Sequence, residues 1–148
     1  MSIYIHKSHN VSVLLYHIVC PVKYRKFVFS EEVAQVLNEI CIQISERYEI
    51  HFVELGTDGD HVHFLVQSVP TYSVTKIVRT IKSITAREIF RRLPSVKEIL
   101  WGGELWTDGY YVNTVGKTGN ETVIQRYIQD QGNEGKYKQL HYEQLKLF

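Results

Sequence analysis

His61-Val62-His63 is the first place in this 148-residue chain where side chains could do chemistry. Residues of a β-strand alternate between its two faces, so the imidazoles of His61 and His63 share one face. Val62, Phe64 and Val66 then point the other way, into a core. Two histidines one pleat apart can converge on one metal ion. Taken alone, a His-x-His is either such a ligand pair or a partly exposed pair that binds nothing. A second grouping lies near the C-terminus. Tyr127 and Gln131 are four residues apart, which on a helix is one face. Gln131 can offer an amide oxygen as a third metal ligand, and Tyr127 a phenol as nucleophile. A phenol ionises near pH 10, so at neutral pH it needs assistance. A divalent cation on a scissile phosphate can give that help as a Lewis acid. With ten tyrosines in the chain, composition alone does not single out Tyr127, which could equally be a helix tyrosine packed on a sheet.

These residues need a scaffold. Val11 to Val19 is rich in β-branched and apolar residues and ends at Pro21, which predicts a strand. Ser30 predicts a helix N-cap with Glu31 and Glu32 in the first turn, beside the positive end of the helix dipole. Val33, Val36, Leu37, Ile40, Cys41 and Ile44 follow helical spacing. Ile50 to Leu55 and His61 to Gln67 predict a hairpin across the turn residues 56–60, with Asp58 and Asp60 read as turn residues. A second long helix is expected over about residues 73–92, ended by Pro94. Its Val74, Ile77, Val78 and Ile81 share one side, and Lys76, Arg79, Lys82 and Arg87 the other. Tyr110 to Val115 predicts a fourth strand. Asn120 is expected to cap a last helix that runs to about Gln131, with Gly132 and Gly135 ending it. The order strand–helix–strand–strand–helix–strand is α+β: a ferredoxin-like split βαβ sheet with helices on one face, plus a C-terminal helix carrying the tyrosine. Residues 1–148 are expected to form one domain.

Composition sets limits. Hydrophobic residues make up 44% and charged residues 22%, and the formal net charge is +1. No apolar run has the roughly 18 residues of a membrane span, so no membrane partner is expected. The start, Met-Ser-Ile-Tyr-Ile-His-Lys, has no basic segment followed by an apolar one, so a cytoplasmic protein is expected. Cys20 and Cys41 read as buried thiols of a reducing compartment. The charge is unevenly spread. Residues 1–29 hold Lys7, Lys23, Arg25 and Lys26 and no acid, and residues 73–92 hold six basic residues against Glu88 alone. Such surfaces can bind phosphate backbones, or be solvated faces. Gly116-Lys117-Thr118 lacks the earlier glycine of a phosphate-binding loop, so no nucleotide cofactor is expected. His6, His9, His17, His51 and His141 have no partner at metal spacing and read as ordinary residues.

Several segments in order then carry a resemblance. They are His17 to Arg25 (HIVCPVKYR), Asp60 to Val66 (DHVHFLV), Leu105 to Val112 (LWTDGYYV) with Thr114 to Gly116, and Tyr127 to Gln131 (YIQDQ). The sequence resembles the single-tyrosine HUH transposases (histidine, hydrophobic, histidine) of the smallest bacterial and archaeal insertion sequences, the IS200-like kind. The resemblance implies Tyr127 as nucleophile, and His61, His63 and Gln131 as ligands of Mg²⁺ or Mn²⁺. It implies cleavage and rejoining of single-stranded DNA through a 5′-phosphotyrosine link, recognition of hairpins at the element's ends, and a homodimer. With the family in view, Lys23, Tyr24, Arg25, Arg79 and Lys82 are expected DNA contacts. Trp101 and Trp106, which flank a Gly-Gly turn, could stack on a flipped base or pack in the core. Three other readings remain open at this point. One is an HUH nickase of replication or conjugation, which would favour a larger chain and often paired tyrosines. Another is a non-catalytic hairpin-binding regulator, which would favour a damaged His-x-His or a missing tyrosine. The third is a ferredoxin-like dimer that binds some small ligand, which accounts for the fold but not for His61, His63, Tyr127 and Gln131 together.

Overall fold

The computed structural model describes residues 5–7, 10–12, 14–115 and 136–139. Two short strands, β1 (Ile5–Lys7) and β2 (Asn10–Ser12), form their own antiparallel ladder. The main sheet follows. Its strands are β3 (Leu14–Pro21), β4 (Ile50–Thr57), β5 (His61–Ser68), β6 (Tyr111–Val115) and β7 (Lys136–Gln139). Their spatial order is β6-β3-β5-β4-β7, and all the pairings are antiparallel. Helix α1 (Glu31–Arg47) connects β3 to β4, and α2 (Val74–Arg92) connects β5 to β6. The first four strands of the sheet with these two crossovers are the ferredoxin-like split βαβ arrangement. The fold class therefore stands as the sequence predicted it. Tyr127, Gln131 and the expected helix over 120–131 lie outside the described residues.

Local chemistry explains the elements. Ser30 caps α1, its Oγ accepting from the Val33 backbone N–H at 3.3 Å. Ser73 caps α2 in the same way, accepting from Lys76 N–H at 3.0 Å. Each cap satisfies a backbone donor that has no partner within the helix. One boundary differs from the sequence reading. The first strand of the main sheet runs from Leu14 to Pro21 rather than from Val11 to Val19. Pro21 fits as its last residue, where its carbonyl accepts from Thr107 N–H at 3.0 Å and a missing ladder donor costs least. The second helix ends before Pro94, as the sequence predicted: Leu93, at φ −132° and ψ 76°, breaks the helical conformation. A separate short helix, α3 (Pro94–Ile99), then begins with that proline in its first turn, where its lacking N–H would have no partner anyway.

The core lies between the helices and one face of the sheet. Ile18, Cys20, Phe52, Leu55, Val62, Phe64 and Val66 point from the strands toward Leu37, Ile40, Ile44, Ile77, Ile81 and Ile89 of the helices, all of them buried. Burial of each such aliphatic or aromatic side chain contributes roughly 1.5–3 kcal/mol. Trp106 joins this core, stacked on Phe29 at 5.6 Å with its indole N–H donating to Thr85 Oγ1 at 3.0 Å. Both cysteines are buried free thiols, and desolvation pushes the Cys20 thiol up to about 12. Among the described residues no helix is long and apolar enough to cross a membrane.

Candidate active site

The strand β5 places His61 and His63 on the face opposite the helices, as the alternation of Val62, Phe64 and Val66 into the core requires. Their ring centroids are 5.0 Å apart, with planes inclined at 67°. His63 is buried and His61 half-buried. The register of β5 against β3 brings a third imidazole to this face. His17 sits beside Leu65 in the ladder, and its Nε2 lies 2.9 Å from His63 Nδ1. When His63 donates through Nδ1–H to His17, the lone pair of His63 stays on Nε2, where a metal would need it. Burial, followed by the charges of His17 and His61, lowers the His63 pKa to about 4. The ring is thus neutral at pH 7, the form that ligates. Burial lowers His17 too, partly offset by a hydrogen bond with Asn113 of β6.

His61 is held from two sides. Its Nδ1 is 2.8 Å from Asp60 Oδ1 and its Nε2 3.3 Å from Asp58 Oδ2. Asp58 and Asp60 are therefore not only turn residues. They fix the ring and set carboxylate oxygens beside it, which suits a hard cation. Burial acts to raise the Asp60 carboxyl, but hydrogen bonds and charge from His61 and Arg25 outweigh it and leave it below the usual range. The turn between them needs Gly59. It has φ +70°, and a Cβ there would meet the Phe27 ring at 2.5 Å.

Among the described residues no three His, Cys, Asp or Glu side chains converge as a metal group. His61 and His63 fit two positions of a divalent cation site. The third donor expected from the sequence, Gln131, lies outside the described residues, as does Tyr127.

A basic turn abuts this face. Residues Lys23–Arg25 form a single 3-10 turn, with Tyr24 at φ 60° and Arg25 at φ 52°. Left-handed backbone costs a non-glycine residue roughly 1–2 kcal/mol, so something must hold it. Val22 N–H donates to Asp60 O and Lys23 N–H to Leu105 O, each at 2.8 Å. Arg25 bonds Asp60 Oδ2 at 3.0 Å, and Lys23 Nζ meets Glu104 at 2.9 Å. The hydrogen bond that Lys23 donates to Glu104 raises its pKa. Arg25 thereby links the turn to His61 through Asp60.

The basic face of α2 is more differentiated than its sequence suggested. Arg92 bonds Gln43 and Glu39 of α1 and Glu88, and Arg91 pairs with Glu88 at 2.7 Å. Lys82 Nζ bonds the carbonyls of Thr107, Asp108 and Gly109 at 2.7, 3.3 and 3.5 Å and lies 5.7 Å from the Tyr110 ring. Its ammonium thus organises the loop before β6. Arg79 is exposed on the wall of a groove of about 430 Å³ between α2 and that loop.

Sequence reasoning missed His17, Asn113 and the two aspartates as parts of the site. The signal available for His17 was a lone imidazole in an apolar strand, out of phase with Ile18 and Cys20. Its partner is 46 residues away in sequence, and only the register reveals that.

Comparison with known proteins defines first the class and then the family. The fold is that of transposases. A transposase from Deinococcus radiodurans, solved at 1.90 Å, superposes with a TM-score of 0.69 at 33% identity, over 86% of this chain and 97% of that one. The REP-associated tyrosine transposase, solved bound to a REP hairpin, shares the fold at a TM-score of 0.54 and 9% identity, over 84% of this chain and 68% of that one. The family model "Transposase IS200 like" matches residues 10–131, and the chain belongs to that family. ISDra2 transposase TnpA of Deinococcus radiodurans is 36% identical over 118 residues, 80% of this chain and 84% of that protein. The transposase for insertion sequence element IS200 of Salmonella typhimurium is 32% identical over 121 residues, 82% of this chain and 78% of that protein.

Proposed function

We propose that this transposase cleaves and rejoins single-stranded DNA at insertion-sequence ends, with Tyr127 as nucleophile, and that it acts as a homodimer on hairpin-bearing ends. The observation that carries this reading is the placement of His61 and His63 on one sheet face, rings 5.0 Å apart, beside a basic turn joined to His61 through Asp60 and Arg25. His61, His63 and Gln131 would hold Mg²⁺ or Mn²⁺. Bound there, the cation supplies Lewis-acid stabilisation of charge on the scissile phosphate. The chain's own residues do the rest. His17 and Asp60 orient the two imidazoles. Tyr127 attacks phosphorus, forming a 5′-phosphotyrosine bond while the P–O3′ bond breaks and leaves a 3′-hydroxyl. Attack by a second 3′-hydroxyl reverses the step, so the backbone is rejoined with neither water nor ATP consumed. Lys23, Tyr24, Arg25 and Arg79 contact DNA, and Lys82 shapes the loop beside them. A protein of this fold, the REP-associated tyrosine transposase, binds a REP hairpin, and a hairpin with single-stranded flanks is therefore the substrate to test.

The test is a covalent-adduct assay. Labelled single-stranded DNA carrying the element's end hairpin is incubated with the protein, with and without Mg²⁺ or Mn²⁺, and resolved under denaturing conditions. A metal-dependent protein–DNA band is expected, absent in Tyr127→Phe although that variant still binds the hairpin. His61→Ala should lose the band together with its metal dependence. Tight binding without a covalent band in any metal would replace this reading with a hairpin-binding regulator.

A further inference from the structure

Two aromatic side chains stand exposed next to the basic turn. Tyr24 is 55% exposed and Trp101 75%, and they stack on each other with ring centroids 6.0 Å apart and planes inclined at 26°. Trp106, five residues on, is 5% exposed, so the two indoles of the chain have opposite surroundings. Core packing explains Trp106 and leaves Trp101 unexplained. A single exposed ring is ordinary, but adjoining exposed rings such as Trp101 and Tyr24 form a continuous apolar patch of the kind that marks a contact surface.

The pair is also held in place, not left on a loose tip. Trp101 stands in a turn closed by Gly103 N–H donating to Leu100 O at 3.2 Å. Leu100 before it and Leu105 after it are buried, which anchors the turn at both ends. Gly102 at φ +106° and Gly103 at φ +79° supply backbone that other residues rarely adopt. On the other side, the left-handed conformation of Tyr24 and Arg25 is fixed by backbone bonds to Asp60 and Leu105 and by the Lys23–Glu104 and Arg25–Asp60 ion pairs. Strained backbone that its surroundings over-determine points to function. Here it aims Tyr24 at Trp101.

The charge around the rings selects the occupant. Lys23 Nζ lies 5.7 Å from the Tyr24 ring, and Arg25 and Lys26 are exposed in the same turn. Flat apolar faces rimmed by cations match a nucleotide, whose base stacks while its phosphate meets the positive charge. We propose that the exposed face of Trp101, backed by Tyr24, is a stacking platform for one unpaired base of single-stranded DNA next to the His61–His63 face. The proposal deepens the DNA-cleavage reading and names a binding residue, Trp101, for its substrate. Stacking reads any base, so the platform holds a strand in place without specifying sequence.

The experiment measures anisotropy of a fluorescein-labelled oligothymidylate, and of the same strand with abasic positions, on the full chain. Trp101→Ala should raise Kd for the oligothymidylate about tenfold, in the range typical of base–aromatic stacking. Trp101→Phe, which keeps a stacking ring, should recover most of the affinity. On the abasic strand, wild type and Trp101→Ala should bind alike. Tyr24→Ala is expected to weaken binding in the same direction. Three outcomes would overturn the platform: no binding of oligothymidylate by the wild type, an unchanged Kd in Trp101→Ala, or an equal loss on the abasic strand. An unchanged Kd together with a change of oligomeric state would make the patch a contact between copies of the chain. The covalent-adduct assay separates the two readings. A band with an unchanged Trp101→Ala Kd removes the platform and keeps the cleavage. A stacking-dependent Kd with no band does the reverse.

Discussion

The two faces of strand β5 differ in what they demand of a side chain. On the helix side, Val62, Phe64 and Val66 are fully buried among apolar neighbours. Many residues of similar volume would fit there, because packing asks chiefly for shape and hydrophobicity. On the opposite side, His63 and Gln67 are buried as well, yet they are polar, and a buried polar group costs free energy unless it finds a partner. His63 finds His17, and His61 finds Asp58 and Asp60. The first face is apolar throughout. The second sets polar side chains beside the buried Leu65. One strand thus carries a packing surface and a candidate chemical surface one residue out of phase.

The sharpest way to break that contrast is to injure each face in turn. Phe64→Ala on the packing side should cost about 3–5 kcal/mol of stability, read as a lower denaturant midpoint, with activity lost only in proportion to the unfolded fraction. A variant of unchanged midpoint would mean that the ring is not part of the core. His17→Phe on the chemical side should behave oppositely. It keeps a ring of similar bulk but removes the partner of His63 Nδ1. Loss of such an orienting contact weakens metal affinity by about 10- to 100-fold, read by titration with Mn²⁺, while the unfolding midpoint moves far less than in Phe64→Ala. Equal metal affinity in His17→Phe would reduce the His17–His63 contact to packing. The smallest effect is expected beyond both faces. Arg79→Ala should weaken binding of single-stranded DNA several-fold and lower the slope of log Kd against log salt by about 0.7, as loss of one phosphate contact predicts. An unchanged slope would assign Arg79 to solvent alone.

Local signals made most of this architecture legible. The spacing of Leu37, Ile40, Cys41 and Ile44, the cap Ser30, and the alternation through residues 61–67 define helices, hairpin and core face from the sequence. These are properties of a few neighbouring residues, and the periods 3.6 and 2 translate them directly into faces. Pro94 marked the end of α2 and also opens the short α3, which the sequence reading did not include, because a proline that cannot continue one helix is well suited to begin another. The resemblance of four ordered segments supplied the family, and His61 and His63 lie on one face, rings 5.0 Å apart, as strand alternation requires.

What local pattern could not supply were contacts between segments far apart in sequence. Periodicity alone does not distinguish His17 from His51, and its contact with His63 follows from the offset at which β3 pairs with β5. Lys82 reads as one more cation on a basic helix face until the loop at 107–109 folds over its ammonium. Trp101 and Trp106 are five residues apart in one motif-rich stretch, yet one is core and the other is surface. The sequence by itself determined the secondary elements, the inward face of the sheet and the identity of the paired histidines, because these depend on residue type and short-range periodicity. Tertiary structure decided which imidazole supports His63, which cations remain at the surface and which aromatic ring meets water, because strand register and loop docking bring together residues that the chain separates.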